Sequence, residues 1–215
     1  MTGKQKARNW QVRLQEDIRV NANSKFVTYT FTEHELQKLD NEVKGLSGYD
    51  RDNEICRLAV RRYTERWRKK YGKTLRHWLV TELGHQNTER VHMHGLIWLE
   101  KKPEDEAKKY EIYSSEFKGM KLTWSEYNKE QKKDIKKVWK YGNIWIGEYV
   151  SAKTINYIVK YVNKVDESHK TYNSKIFTSQ GIGKEYVNRR DSGRNKYKKD
   201  KTIETYNTGK NSIAN

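Results

Sequence analysis

Cysteine and long apolar runs are nearly missing from this chain. Its 215 residues include one cysteine, which excludes a disulfide framework and fits a reducing compartment. No stretch approaches the roughly 20 apolar residues that span a bilayer. The basic N-terminus also lacks the apolar core of a signal peptide. These absences predict a cytoplasmic protein with no membrane partner.

A complete phosphate-binding loop is absent as well. Gly72-Lys73-Thr74 matches the end of that motif, but the position five residues earlier, which requires glycine, is Trp67. The triplet also ends a predicted helix, whereas the motif links a strand to a helix. We therefore expect no nucleotide to bind there.

Positive charge and aromatic rings are abundant. The chain has 45 Lys and Arg against 28 Asp and Glu, a net charge of +17, with seven Trp and fifteen Tyr. A disordered polycation would be poor in aromatic residues, so the composition indicates a folded domain with a basic surface. Its expected partner is a polyanion. The aromatic residues favour single-stranded nucleic acid, whose exposed bases can stack on rings.

Hydrophobic periodicity predicts an α+β fold, a central antiparallel β-sheet with flanking helices on one face. The predicted strands are residues 26–32, 77–83, 91–100 and 144–149, and the predicted helices are residues 10–19, 33–43, 53–71, 125–141 and 152–165. The domain is expected to span residues 1–187, with a surface insertion at 101–122. Residues 188–215 are expected to form a basic, flexible tail.

Two histidines lie one residue apart in the predicted strand around Val91–Leu99. Because alternate strand residues share a face, His92 and His94 project together, either as a solvent-facing pair or as ligands of one metal ion. A metal site would need a third ligand. Glu82 can supply it if strands 77–83 and 91–100 form a hairpin, because it would then lie across from His92. His85 is a weaker alternative.

The helix predicted at 152–165 carries two tyrosines on its polar side. On a helical projection Tyr157 and Tyr161 point away from the apolar stripe and share a face with Lys160 and Lys164. The two tyrosines have either a structural role or a role as nucleophiles. A nearby lysine and a divalent metal would both favour the phenolate, and attack on a phosphodiester would give a covalent phosphotyrosine.

Four basic residues are candidates for contacts to DNA: Arg57, Arg61, Lys153 and Lys164.

Three segments together resemble a known superfamily. Phe26–Thr32, His92-Met93-His94 and Tyr157-Ile158-Val159-Lys160-Tyr161 occur in the order of the three motifs of HUH-type rolling-circle replication initiators. The spacing of the tyrosines resembles the two-tyrosine branch found in single-stranded DNA phages. Further segments are similar to the initiators of gokushovirus-like microviruses: Thr81–Gly84, Val138–Gly142 and Gly181–Lys184. A plasmid or an integrated element is an equally open source, because the expected N-terminal cysteines are missing.

The resemblance implies an RRM- or ferredoxin-like core and makes residues 1–187 a nicking and joining endonuclease domain. In that family pattern His92, His94 and Glu82 bind Mn²⁺ or Mg²⁺. Tyr157 matches the nucleophile, with Tyr161 as the second nucleophile and Lys160 as the motif lysine. The implied partners are single-stranded DNA at a replication origin, a host helicase and a DNA polymerase, in the cytoplasm of a bacterial host cell.

Two alternatives remain at this point. One is a relaxase or tyrosine transposase of the same superfamily. The other is a non-catalytic DNA-binding replication regulator, which would explain the charge and the aromatic residues but not the histidine pair.

Overall fold

A five-stranded antiparallel sheet forms the centre of the fold, which is α+β as predicted. The computed structural model describes residues 3–21, 23–84, 90–100, 110–111, 121–163 and 172–188. The strands are β1 (Ser24–Tyr29), β2 (Arg76–Leu83), β3 (Val91–Trp98), β4 (Tyr110–Glu111), β5 (Lys121–Leu122), β6 (Ile144–Gly147) and β7 (Ile176–Thr178). The helices are α1 (Gly3–Val20), α2 (Glu33–Glu42), α3 (Gly48–Tyr71), α4 (Trp124–Val138), α5 (Ala152–Val159) and α6 (Lys184–Asn188), with a 3₁₀ helix over Lys160–Asn163.

The strand order in the sheet is β6-β1-β3-β2-β7. Helices α2 and α3 connect β1 to β2, and α4 lies between β3 and β6, so the chain from β1 to β6 follows the β-α-β-β-α-β order of ferredoxin-like folds. The short strand β7 extends this arrangement beside β2. The two residues of β4 pair with β5 outside the main sheet.

Helices cover both faces of the sheet, so the expectation of helices on one face is wrong. Val27 and Met93 belong to a core formed with α3 and α4. Trp78 and Leu96, which alternate with residues of that core along β2 and β3, pack against α5 and against Leu14 of α1. The second layer consists of α1, which is longer than the predicted helix, and of α5, which lies against it.

Local signals in the sequence define several helix ends as predicted. The hydroxyl of Thr32 accepts a hydrogen bond from the N–H of Glu35 and caps α2. Helix α3 ends at Gly72, which adopts the left-handed conformation (φ 70°) that glycine reaches without steric cost. Ser151 caps α5 by accepting a hydrogen bond from the N–H of Thr154.

The segment Gly181–Lys184 anchors the chain against α1. The N–H of Gly183 donates to the buried carboxylate of Asp17 at 2.6 Å, and the Arg76 guanidinium donates to the same carboxylate at 2.5 Å. A Cβ on Gly183 would lie 2.5 Å from the Cβ of Arg13. This segment therefore holds α1, and with it α5, on the sheet.

Several expectations fall wholly or partly outside the described residues. Of the insertion expected at 101–122, the structure describes β4 and β5, and of the tail expected at 188–215 it describes Asn188. The sequence did not predict β7 or α6. None of the helices in the described part of the chain combines the length and apolar composition needed to cross a bilayer.

Candidate metal centre and tyrosine pair

The β2–β3 hairpin places a carboxylate and two imidazoles on one face of the sheet. Its register pairs Glu82 with His92 and Val80 with His94. Directly paired residues in an antiparallel sheet share a face, and so do alternate residues along one strand. Glu82 therefore lies across from His92, as the sequence predicted.

The three side chains converge on one point. The Oε2 atom of Glu82 lies 2.8 Å from the Nε2 of His94 and 3.1 Å from the Nε2 of His92. The candidate ligand atoms of the three residues all lie within 4.8 Å of one another. Glu82 and His94 are buried, and His92 is partly exposed. In the residues that the structure describes, this is the one cluster of three potential metal-ligating side chains.

The outer nitrogen of each imidazole is already engaged. The Nδ1 of His92 lies 3.2 Å from the carbonyl oxygen of Arg90, and the Nδ1 of His94 lies 3.0 Å from the hydroxyl of Thr28. A carbonyl oxygen only accepts, so the Nδ1 of His92 donates to Arg90, and its Nε2 lies towards the Glu82 carboxylate.

The Glu82 carboxylate and the Nε2 atoms of both histidines face one another at hydrogen-bond distance, at the point where one metal ion would contact all three side chains. Metal-binding histidines typically donate their other N–H to a carbonyl or a similar group, as His92 does here. Two imidazoles and one carboxylate therefore fit a divalent metal ion.

The tyrosine pair lies against this cluster. The ring of Tyr161 stacks on the His94 ring with 4.6 Å between centroids and 13° between planes. The ring of Tyr157 meets the same imidazole edge-on at 6.4 Å. The Tyr161 hydroxyl donates a hydrogen bond to the Tyr157 hydroxyl at 2.5 Å. The structure thus brings both predicted nucleophiles next to the predicted metal ligands.

The two tyrosines differ in exposure. Tyr157 is 47% exposed, whereas Tyr161 is 8% exposed and belongs to the core on this face of the sheet. Burial, together with the hydrogen bond to Tyr157, raises the pKa of Tyr161 well above its ordinary value. Of the two side chains, that of Tyr157 is therefore the more accessible from solvent.

The expectation that both tyrosines point away from the core is wrong for Tyr161. That expectation assumed an α-helix through residue 165, with about 100° per residue. The structure changes to a 3₁₀ helix at Lys160, where the advance is about 120° per residue and side chains three positions apart nearly eclipse. Tyr161 is thereby turned towards Ile158, a residue of the apolar stripe.

The predicted basic residues divide into two groups. Lys153 and Lys160 are exposed. Lys153 precedes Tyr157 by four residues and Lys160 follows it by three, so both lie on the same face of the helix as Tyr157. Arg57 and Arg61 lie on α3, which covers the opposite face of the sheet, and they pair with Glu54 and Glu65. The structure does not bring these two arginines to the site. Lys164 and His85 lie outside the described residues.

Thr28 is a site residue that the sequence did not single out. The pairing of β1 with β3 places it directly beside His94. Strand alternation alone indicates that Thr28 shares a face with Phe26. Its contact with a histidine 66 residues later depends on strand order, which local sequence patterns do not reveal.

Comparison with known families gives one match. The family model for the replication-associated protein ORF2 matches residues 24–166. The matched segment begins with β1 and includes the three candidate metal ligands and both tyrosines. No curated protein and no solved structure gives a significant match to the chain.

Proposed function

The chain belongs to the replication-associated protein ORF2 family, and from that premise we propose that it initiates rolling-circle replication by nicking and rejoining single-stranded DNA at an origin. The observation that carries the proposal is the packing of Tyr157 and Tyr161 on His94 of the Glu82–His92–His94 cluster. Tyrosine nucleophiles beside a metal site are suited to strand transfer, because the covalent phosphotyrosine conserves the energy of the broken phosphodiester bond for later joining.

The metal would be held by His92, His94 and Glu82. We propose Mn²⁺ or Mg²⁺, which would polarise a non-bridging phosphate oxygen and orient the phosphorus for in-line attack. Thr28 and the Arg90 carbonyl would fix the orientation of the two imidazoles.

Tyr157 is the proposed nucleophile of the first cleavage. Its phenolic oxygen forms a bond to phosphorus while the bond from phosphorus to the 3′ oxygen breaks. The products are a 5′-phosphotyrosine and a free 3′ hydroxyl; the 3′ oxygen gains a proton, and Tyr157 loses its proton to solvent. The hydrogen bond donated by Tyr161 would stabilise the phenolate that Tyr157 forms when it loses its proton.

Tyr161 is the proposed second nucleophile. The 3′ end would be extended by a host polymerase while a host helicase separates the strands. Tyr161 would then cut the regenerated origin in the same way. The newly freed 3′ hydroxyl would attack the phosphotyrosine on Tyr157, so that a phosphodiester bond forms and the phenol leaves. We place this cycle in the cytoplasm of a bacterial host, on the genome of a gokushovirus-like phage or on a plasmid.

The test is denaturing electrophoresis of the protein after incubation with Mn²⁺ and a labelled pool of single strands. We expect a covalent protein–DNA band that chelation of the metal abolishes. Tyr157→Phe should remove the band, whereas Tyr161→Phe should form the first adduct and fail in joining. Tyr49→Phe is the matched control, since Tyr49 packs against Tyr172 on the other side of the sheet.

The same experiment separates the alternatives. A non-catalytic regulator would give no covalent band, and the double variant Tyr157→Phe, Tyr161→Phe would retain its activity. A relaxase or transposase that uses one tyrosine would complete joining without Tyr161.

A further inference from the structure

Trp145 is unusually exposed for a tryptophan. It lies on the edge strand β6 and is 58% exposed, whereas the other six tryptophans of the chain are buried or partly buried. A large apolar ring left in water does not contribute to the core. When such a ring also lies beside a functional site, it is a candidate contact for a ligand.

The sheet register places Trp145 in line with the metal cluster. Trp145 pairs with Thr28, and Thr28 pairs with His94, so the three residues form one row across β6, β1 and β3. Directly paired residues share a face, so the indole projects from the same face as the imidazole. Two inter-strand spacings of about 4.8 Å put their Cα atoms about 10 Å apart.

Packing holds the indole in one orientation. The ring of Phe26 meets it edge-on with 5.4 Å between centroids. The outer end of the indole lies over Gly147, where an added Cβ would be only 3.1 Å from the ring. The ring can lie there because glycine has no side chain. Because the ring is already ordered, a ligand that stacks on it loses little additional conformational entropy.

Phe26 connects the indole to the reacting residues. Its ring lies edge-on to Tyr157 at 6.1 Å and nearly parallel to the His94 ring at 6.2 Å. A continuous aromatic surface therefore runs from the exposed Trp145 to the exposed Tyr157. The basic Lys153 and Lys160 lie on the helix face that carries Tyr157.

We propose that Trp145 stacks on one unpaired base of the substrate strand and thereby positions the neighbouring phosphate at Tyr157 and the metal cluster. The inference rests on the proposed function and specifies its substrate. Aromatic stacking requires an accessible base face, which single strands offer and an intact duplex does not. The net charge of +17 supplies the general attraction to the phosphate backbone.

The first test follows binding of oligothymidylate to the full chain with a chelator present, so that no cleavage occurs. Trp145→Ala should weaken binding by about 5- to 150-fold, which is the usual effect of losing one base–aromatic stack. Trp145→Phe should bind nearly as well as the wild type, because it keeps an aromatic face. Trp145→Leu keeps apolar bulk without that face and should bind as poorly as the alanine variant.

Intrinsic fluorescence provides a second readout. Base stacking should quench tryptophan emission on titration with oligothymidylate, and Trp145→Phe should lose this quenching while it still binds DNA. Leu46→Ala is the control, because Leu46 is also exposed but follows α2 on the other side of the sheet. It should leave both binding and quenching unchanged.

The outcomes separate the inference from the proposed function. If Trp145→Ala binds as tightly as the wild type, or if Trp145→Leu equals Trp145→Phe, the stacking role is wrong, while the nicking activity can still stand. Equal weakening of single-strand and duplex binding by Trp145→Ala would also overturn it. If the wild type neither binds oligothymidylate nor forms a covalent adduct, the proposed function itself fails.

Discussion

Thr28→Val is the sharpest test of the metal site, because it removes one hydroxyl and keeps the shape of the side chain. The hydroxyl lies 3.0 Å from the Nδ1 of His94. If the Nε2 of His94 binds a metal, its Nδ1 carries the proton, and the threonine hydroxyl accepts a hydrogen bond from this N–H. Loss of such a partner typically weakens metal binding by about 10- to 100-fold, or about 1.4–2.8 kcal/mol.

The effect on folding should be smaller than the effect on the metal. One hydrogen bond contributes about 0.5–1.5 kcal/mol net, and valine favours β-strands at least as well as threonine does. Titration calorimetry of the metal-free protein with Mn²⁺ measures the first quantity, and urea unfolding measures the second. The loss of affinity should therefore exceed the loss of stability.

Thr30→Val is the matched control. The Thr30 hydroxyl bonds to the backbone of Asn143, and within the described residues no hydrogen bond joins it to a histidine. Its removal should leave the Mn²⁺ affinity unchanged. A dissociation constant for Thr28→Val equal to that of the wild type would refute the reasoning, because His94 would then need no orientation from β1.

Two further predictions concern stability. A Cβ on Gly95 would lie 2.0 Å from the carbonyl oxygen of Trp78 and 2.8 Å from the Cα of Leu79. Gly95→Ala should therefore lower the free energy of unfolding by about 1–3 kcal/mol. An unchanged urea midpoint would contradict this. Burial lowers the pKa of His77, so the unfolded chain takes up its proton more readily than the folded protein does. The stability contributed by neutral His77 is complete above the unfolded pKa of about 6.5 and falls below it. His77→Gln should flatten the decline in urea midpoint below that pH, and an identical pH profile would count against the argument.

The hairpin and its candidate ligands were predictable because the information is local. Alternation in β2 and β3 fixes which residues share a face, and the short connection between the strands brings Glu82 opposite His92. The sequence therefore predicted the positions of the three candidate ligands relative to one another. It also predicted the helix that carries Tyr157.

Features that depend on distant parts of the chain were not predictable in this way. The position of Arg57 and Arg61 depends on which face of the sheet α3 covers, and a helical pattern shows only that one side of α3 is polar. The change to a 3₁₀ helix at Lys160 has no strong local signal, and it moves Tyr161 into the core. The three-residue strand β7 is too short for alternation to be recognised.

Strand β3 serves the core on one face and the candidate metal site on the other. Val91, Met93 and Ile97 are buried against the α3 side, and His92 and His94 project from the opposite side. A shift of one residue along the hairpin would turn both imidazoles into the apolar core on the α3 side, where they would lack their polar partners. The core on the α3 side thus helps to keep the strand in register. Residues on the site face can change in identity, and so alter metal preference or reactivity, without losing their positions.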